Sequence, residues 1–321
     1  MTLHVEDKWV WDFWFARDGA DTHIFYLQAP RSLKNPDLRH WHTSIGHAIS
    51  PDLIHWEILP DALVPSKQAD TFDNLTVWTG SIIKKNHTWH MFYTGTRREE
   101  QGAIQRIGLA FSEDLMHWQR HPDNPIMEIE PQWYELLDET IWYEQAWRDP
   151  WVFEYNGRFH TLITARTNQG EPDTRGVIGY ANSEDLLHWD VKPAITTPGE
   201  FSYLEVPSLA CINNNWYLIF CVEAEKYSKR RMKRLGIRQF SGTHYMIADH
   251  PLGPFRAFPD DVLLADVNAS YYSGKVIQNP NGDWVLLASI QFGQENGFIG
   301  DISDPMPVYV RENGQIDVSP K

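Results

Sequence analysis

The sequence predicts an all-β fold, a five-bladed β-propeller with four antiparallel strands per blade. Three observations carry that expectation. A heptad recurs almost unchanged, strand-like alternation leads into each copy, and five candidate inner strands are spread along the 321 residues. The heptad reads SPDLIHW from Ser50 to Trp56, SEDLMHW from Ser112 to Trp118 and SEDLLHW from Ser183 to Trp189. A degenerate fourth copy, ADHPLGPF, runs from Ala248 to Phe255. Copies roughly 60–70 residues apart mark a repeated supersecondary unit.

Each copy follows a short apolar run, SIGHAI, RIGLAF, VIGYAN or HYMIA, and each run follows another, of the type HIFYLQ, WHMFYTG, RFHTLITA or WYLIFCV. Turn residues separate the runs, as at Asn156-Gly157, Asn213–Asn215 and Asn281-Gly282, which is the pattern of hairpins. The unit is strand, turn, strand, loop, strand, heptad turn and closing strand, a propeller blade. The inner strands are expected at Trp9–Phe15, Val77–Ile83, Arg148–Phe153, Leu204–Ala210 and Tyr271–Ile277. No linker or low-complexity segment divides the chain, so residues 1–321 are expected to form one domain. Helical periodicity is weak outside Gln132–Glu144. Within the heptad the Asp is expected to cap the turn, the Leu and Trp to plug the gap between blades, and the His to bond backbone. Repetition in successive blades argues for architecture, not catalysis, at His55, His117 and His188.

The formal net charge of −15 repels polyanions, which argues against nucleic acid or an anionic membrane as partner and fits a small neutral substrate. Cys211 and Cys221 lie in apolar stretches and read as buried free thiols, not a disulfide. There is no CxxC, no Cys/His cluster of zinc spacing, no Gly-rich phosphate loop and no redox motif, so neither metal nor cofactor is expected. No run of 18 apolar residues is present. The opening MTLHVEDKWVWDFWF lacks a basic segment followed by an apolar one, and a cytoplasmic location is the expectation.

Inner strands of a propeller converge on an axial funnel, so acidic residues that interrupt their apolar rhythm ask for a reason. Three stand out. Asp12 sits in Trp-Val-Trp-Asp-Phe-Trp-Phe, Asp149 follows Arg148 in Trp-Arg-Asp-Pro-Trp, and Glu205 sits in Tyr-Leu-Glu-Val-Pro-Ser-Leu. Any one of them alone is as readily a turn cap or an ion-pair partner. Three at corresponding places in three blades indicate a site.

At these residues the chain resembles glycoside hydrolase family 32, the invertases and inulinases. The resemblance is carried by HIFYLQAP, GHAISPDLIHWEILPDALVP, VWTGSII and FYTG, by Arg148-Asp149-Pro150, similar to that family's Arg-Asp-Pro motif, and by Glu205-Val206-Pro207, similar to its Glu-Cys-Pro motif. The opening VWDFW resembles the Val-Trp-Asp-x-Trp motif of the related family 68, the levansucrases. The specific motifs span Trp9 to Pro207, and the rest is covered through the repeat. The resemblance implies a five-bladed propeller and a retaining mechanism, with Asp12 as nucleophile, Glu205 as general acid/base, Asp149 as transition-state stabiliser and Arg148 holding substrate. Trp11, Trp41 and Trp78 are candidate walls of a sugar pocket or packing residues. Thr79 falls where family 68 has a serine that bonds the nucleophile, and such a hydroxyl favours the ionised carboxylate. Two departures bear on the substrate. The family 32 opening Asn-Asp-Pro-Asn-Gly is missing, and the residues after Glu205 are needed to complete the propeller, so the family's C-terminal β-sandwich is not expected here.

The implied activity is cleavage of β-D-fructofuranosides such as sucrose or short fructo-oligosaccharides through a fructosyl-enzyme, with transfer when a sugar hydroxyl replaces water. Such chemistry needs one ionised and one protonated carboxyl, split by environment. An inverting α-L-arabinofuranosidase or β-xylosidase similar to family 43, and a non-catalytic sugar-binding propeller, are the alternatives. The basic run Lys226–Arg238 reads either as a solvated or subunit-contacting loop, or as a loop that reaches over the funnel to bind a substrate phosphate.

Overall fold

A computed structural model describes residues 2–235, 239–293 and 297–319. Five antiparallel sheets follow one another along the chain. Blade 1 comprises β1 (Lys8–Asp18), β2 (Asp21–Pro30), β3 (Ser44–Ser50) and β4 (Glu57–Leu63). Blade 2 comprises β5 (Thr76–Lys85), β6 (Thr88–Thr96), β7 (Gln105–Ser112) and β8 (Gln119–Arg120), and blade 3 β9 (Trp147–Tyr155), β10 (Arg158–Arg166), β11 (Gly176–Ser183) and β12 (Asp190–Lys192). Blade 4 comprises β13 (Glu205–Ile212), β14 (Asn215–Val222), β15 (Ser241–Ala248) and β16 (Val262–Asp266). Blade 5 comprises β17 (Tyr271–Gln278), β18 (Trp284–Phe292), β19 (Phe298–Ile302), β20 (Met306–Val310) and β21 (Ile316–Val318). The five expected inner strands are β1, β5, β9, β13 and β17, each packed on the next, with β17 returning to β1 to close the ring.

Blade 5 departs from four strands in one respect. Its third position is split into β19 and β20, both paired with β18. The break falls at Ser303-Asp304-Pro305, where Pro305 has no N–H to offer a ladder. Ser303 bridges the gap: its N–H donates to the Ala288 carbonyl (2.9 Å) and its hydroxyl accepts from the Ala288 N–H (3.0 Å). The N-terminal segment adds a further tie, with Leu3 and Ile302 exchanging backbone bonds of 2.9 and 3.1 Å.

The second strands read as nearly continuous apolar runs because both faces of a blade are covered. NWYLIFCV of β14 is buried over six consecutive residues. Five clusters fill the five gaps between blades. Trp14, Phe25, Trp89 and Met91 pack between blades 1 and 2, and Phe92, Leu109, Trp147 and Ile163 between 2 and 3. Leu162, Ile178, Leu218 and Phe220 fill the next gap, Tyr217, Ile219, Leu286 and Ala288 the one after, and Val10, Ile24, Val285 and Leu287 join blade 5 to blade 1.

The heptads supply the plugs. Leu53 and Trp56 enter the gap between blades 5 and 1, Leu115 and Trp118 that between 1 and 2, and Leu186 and Trp189 that between 2 and 3. Each Leu sits in the left-handed region, at φ 65°, 64° and 76°. Local bonds hold that conformation. In the second copy, Asp114 Oδ1 accepts from the Met116 and His117 N–H groups at 2.8 and 2.9 Å, as an Asx turn does. The histidine differs from expectation: its Nδ1 donates to the Asp carboxylate, at 2.7, 2.8 and 2.7 Å for His55, His117 and His188, and not to backbone. Three residues of separation bring ring and carboxylate together across the turn.

Two further expectations are corrected. Gln132–Glu144 forms turns and isolated bridges, not a helix, because Glu135 is drawn inward to pair with Arg166 and Arg175. The α-helix that does form, α1 (Lys229–Leu235), lies in the basic run. Cys221 is buried as expected, but Cys211 is exposed: on β13 Ala210 and Ile212 point inward, so the two-residue period turns Cys211 out.

Replacing Asp114 by alanine removes the turn's carboxylate acceptor, and urea unfolding should show a loss of about 1–2 kcal/mol. His117→Ala should cost less than about 0.5 kcal/mol, because it deletes only an exposed contact between ring and carboxylate. Equal losses in the two variants would contradict this division of roles.

Candidate active site

All five inner strands break register at one level. The shifts fall between Trp11 and Phe13 on β1, Trp78 and Gly80 on β5, Glu205 and Ser208 on β13, Tyr272 and Lys275 on β17, and opposite Asp149-Pro150 on β9. A bulge of this kind leaves a residue out of the ladder and re-aims its side chain. The bulged positions hold Asp12, Thr79, Asp149, Val206 and Ser273, with Glu205 immediately before its bulge. Asp149, Val206 and Ser273 take left-handed conformations, with φ 58°, 45° and 53°, which for a β-branched valine is a true outlier. The fivefold repeat therefore converts one backbone irregularity into a ring of side chains around the axis.

Asp12, Asp149 and Glu205 line one cavity of about 800 Å³ at the mouth of that axis. The Thr79 hydroxyl donates to Asp12 Oδ2 at 3.2 Å. Asp149 Oδ2 accepts from the Thr164 hydroxyl (2.8 Å) and the Val206 N–H (3.1 Å), and the Asp149 N–H donates to Thr94 Oγ1 (2.9 Å). Glu205 accepts from Arg148 Nη2 at 2.6 Å and from the Tyr272 hydroxyl. Arg148 also donates to Glu144 (2.8 Å) and Gln105 (3.2 Å), and its Nε lies 3.5 Å from Asp149 Oδ2.

Burial pushes the Asp12 carboxyl above its ordinary range, and Glu205 adds to the rise; Ser273, Lys275 and Thr79 oppose it. The Thr79 bond anticipated from sequence is present, yet it does not outweigh burial. Burial likewise pushes Asp149 up to about 6, with Arg148 opposing, Asp12 and Glu205 adding, and the Thr164 hydroxyl opposing. A fourth carboxyl, Glu223, is open to the cavity but enclosed by protein on its other sides. Enclosure and then Glu205 push it up to about 7. His40 is driven down to about 3 by burial and by Arg39 and Arg148, which leaves it a neutral imidazole.

The five other residues singled out from sequence, Trp11, Trp41, Trp78, Thr79 and Arg148, all line the same cavity. Trp11 is almost wholly buried and belongs also to the core between blades 1 and 2. Trp78 donates from Nε1 to the His40 carbonyl at 2.9 Å. Trp41 is 42% exposed at the rim, tilted against Trp78 with ring centres 6.1 Å apart. Its ring rests on Gly102, at φ +78°, where a Cβ would lie 2.3 Å from it.

Sequence reasoning missed Arg39, His40, Tyr203, Glu223 and Tyr272. Tyr272 had a readable signal, since it stands beside the bulge of a recognised inner strand. Arg39 and His40 lie on a short 3₁₀ turn, Pro36–Trp41, and Tyr203 and Glu223 on loops. Of the basic run, Lys226 alone lines the cavity among the described residues, stacked 5.3 Å from the Tyr203 ring and 5.4 Å from Tyr143. Arg231 is buried against Asp261, and Arg234 pairs with Glu200. Residues 236–238 of the run lie outside the described residues. Among the described residues no group of three or more His, Cys, Asp or Glu is arranged to hold a metal ion, and no helix is long and apolar enough to cross a membrane.

The raised Asp149 has a measurable linkage. Between about pH 4 and 6 the folded chain holds a proton that the unfolded chain has released, so folding stability falls as pH rises through that window. Asp149→Asn removes the titration. Its stability relative to wild type should rise by on the order of 2–3 kcal/mol between pH 4 and pH 7 in urea unfolding. A difference independent of pH would show that Asp149 titrates normally.

Comparison with known proteins agrees with this architecture. The chain is similar to the invertase of Schizosaccharomyces pombe, 25% identical over 207 residues that span 60% of this chain and 31% of that protein. It is also similar to the sucrose-6-phosphate hydrolase of Zymomonas mobilis, 27% identical over 230 residues, or 67% of this chain and 41% of that one. The chain thus spans less than half the length of these curated relatives. Among solved structures, the inulosucrase from Halalkalicoccus jeotgali bound to kestose superposes with a TM-score of 0.76 at 21% identity, covering 98% of this chain and 87% of that one. The Bombyx mori GH32 β-fructofuranosidase superposes with a TM-score of 0.73 at 20% identity, covering 100% and 64%. At these identities the superpositions speak for the fold. The profile of the glycosyl hydrolases family 32 N-terminal domain matches residues 18–298, a span that includes Asp149 and Glu205 and begins six residues after Asp12. The chain belongs to glycosyl hydrolase family 32.

Proposed function

We propose that the five blades act as one catalytic unit, a retaining glycoside hydrolase that cleaves β-D-fructofuranosides such as sucrose or short fructo-oligosaccharides. The observation that carries this reading is the meeting of Asp12, Asp149 and Glu205, from three blades, with Arg148 in one cavity. A ketofuranoside leaves through an oxocarbenium-like transition state, which requires a carboxylate to attack and a carboxylic acid to protonate the departing oxygen. Asp12 attacks the anomeric carbon, and Glu205 delivers the proton. Tyr272 and Arg148 fix the Glu205 carboxyl at both oxygens, so the group is oriented before substrate arrives. Asp149, held by Thr164 and the Val206 N–H, faces the ring hydroxyls and gains strength as positive charge builds. Glu205 then deprotonates the water that releases fructose from Asp12. A sugar hydroxyl in place of that water yields transfer. Two free cysteines are consistent with a reducing, cytoplasmic setting.

Incubating the chain with sucrose and short fructo-oligosaccharides and following early turnover by NMR tests the reading. Fructose should appear first as the β-anomer, and an inverted anomer would point to a family 43-like mechanism. Asp12→Asn should lower kcat on the order of 10⁴-fold or more with substrate binding retained. Glu205→Gln should spare the first step for substrates with good leaving groups. Binding without turnover by the wild type on the whole panel would leave a sugar-binding propeller instead.

Acidic side chains also shape the rim: Glu99, Glu139 and Glu223 line the cavity, while Arg148 is already committed to carboxylates. Sucrose should therefore be turned over at least as fast as its 6-phosphate. A marked preference for the phosphate would assign Lys226 and Arg39 to an anion site.

A further inference from the structure

Beneath the floor of the cavity lies a lysine that lines no part of it. Lys275, on β17, is 3% exposed. Its ammonium donates to the carbonyls of Val206 (2.6 Å) and Pro207 (3.4 Å). It also lies 5.5 Å from the Trp151 ring. Burying an ammonium is costly unless it is paired, and two carbonyls with one aromatic face are a modest recompense. Its location therefore requires a further explanation.

Val206 provides one. Its φ of 45° is unfavourable for a β-branched residue, and such a conformation persists only where its surroundings impose it. The Val206 unit is held at both ends: its N–H donates to Asp149 Oδ2 (3.1 Å) and its carbonyl accepts from Lys275. The residue immediately before it is Glu205. A change in the Val206 peptide thus turns the Glu205 side chain relative to Asp12.

Charge provides the other. Asp12 faces Glu205 from β13, Asp149 from β9, Arg39 from the loop after β2, and Lys275 from β17. Lys275 itself faces Asp149, Asp12 and the Cys221 thiol of β14. Burial draws the ammonium down to about 8, and it remains charged at neutral pH.

We propose that Lys275 is a positioning residue that clamps the left-handed bulge aiming Glu205 and, from below, balances the joint negative charge of Asp12 and Asp149. The inference rests on the fructofuranosidase reading for its kinetic consequences, but not for its electrostatic ones.

Lys275→Met, Lys275→Gln and Lys275→Arg in the full chain separate the two parts. Lys275→Met should lower kcat about a hundredfold, as a small misplacement of a catalytic group does, with KM little changed. The acidic limb of its kcat/KM profile should move up by about one pH unit, because a cation near Asp12 has gone. Lys275→Gln keeps an N–H for the Val206 carbonyl and should recover part of kcat, yet retain the displaced limb. Lys275→Arg should keep the limb where the wild type has it. A limb unmoved in both neutral variants, or a kcat for Lys275→Met within about twofold of wild type, would overturn the proposal. If the methionine variant does not fold, the glutamine and arginine variants decide the matter by the same limb. The aspartate carboxyl titrations followed by ¹³C NMR, assigned with Asp12→Asn and Asp149→Asn, give a readout independent of turnover. Upward movement in the neutral variants supports Lys275 even if the wild type cleaves no fructoside, and unmoved titrations overturn it whatever the activity.

Discussion

Asp149 and Glu205 stand together at one channel mouth with a buried guanidinium between them. Arg148 donates to Glu205 and Glu144 and passes within 3.5 Å of Asp149. Its planar fork serves several acceptors at fixed angles, which a lysine ammonium in the same place would not do. Buried carboxylates that lack a partner become protonated or unfold the site. Even with Arg148 beside it, burial still lifts Asp149 above its ordinary range, and burial with Glu205 lifts Asp12 against Ser273, Lys275 and Thr79. Burial thus sets the Asp149 carboxyl, at about 6, apart from an ordinary aspartate, and shifting carboxyls apart by environment is how paired acids divide acid–base roles.

The fold delivers this arrangement through a repeated irregularity. Of the five bulged residues, Asp12, Thr79, Asp149 and Val206 line the cavity, and the strain of the left-handed positions is concentrated where the carboxyls stand. Blades 3, 4 and 5 carry the left-handed residues, Asp149, Val206 and Ser273. Packing between blades supplies the rigidity that holds them. Each gap has its own apolar cluster, and the heptad turns of blades 1 to 3 drive a leucine and a tryptophan into the gap toward the preceding blade. The structural repeat and the site are linked in this way: the plugs fix blade spacing, and blade spacing fixes how far Asp12, Asp149 and Glu205 stand from one another.

What was legible in the sequence was local or periodic. The heptads, the alternation and the acid inside an aromatic strand each occupy a few consecutive residues, so the blades, the inner strands and the three carboxyls were readable. Arg148 was readable as the neighbour of Asp149. What escaped was set by register and closure. Whether Tyr272 reaches Glu205, 67 residues away, depends on two bulges and on the neighbouring packing of blades 4 and 5. Glu223 lies on a loop and His40 on the short 3₁₀ turn Pro36–Trp41, connections whose course no periodicity dictates. Cys211 was misplaced because an apolar stretch was read without its two-residue period. Gln132–Glu144 was misread for the opposite reason: a weak helical period was overridden by the pull of Arg166 and Arg175 on Glu135.

The basic run shows how far a charge pattern alone is from a binding site. Seven cations within Lys226–Arg238 suggest an anion trap in an acidic protein. In the folded chain Arg231 serves as a buried anchor for Asp261, and Arg234 closes on Glu200. Lys226 reaches the cavity, where Trp142, Tyr143 and Tyr203 present their faces to its ammonium. An aromatic platform of that kind satisfies a cation without an anionic partner, and it stands beside Glu223, whose charge Lys226 also moderates. A phosphate entering there would have to displace these contacts and approach Glu99, Glu139 and Glu223, whereas the hydroxyls of an uncharged sugar meet donors and acceptors of both kinds. Under the proposed reading the inner strands fix the chemistry of bond cleavage, and the loops that carry Trp41, Tyr143 and Lys226 select what is attached to the fructosyl group.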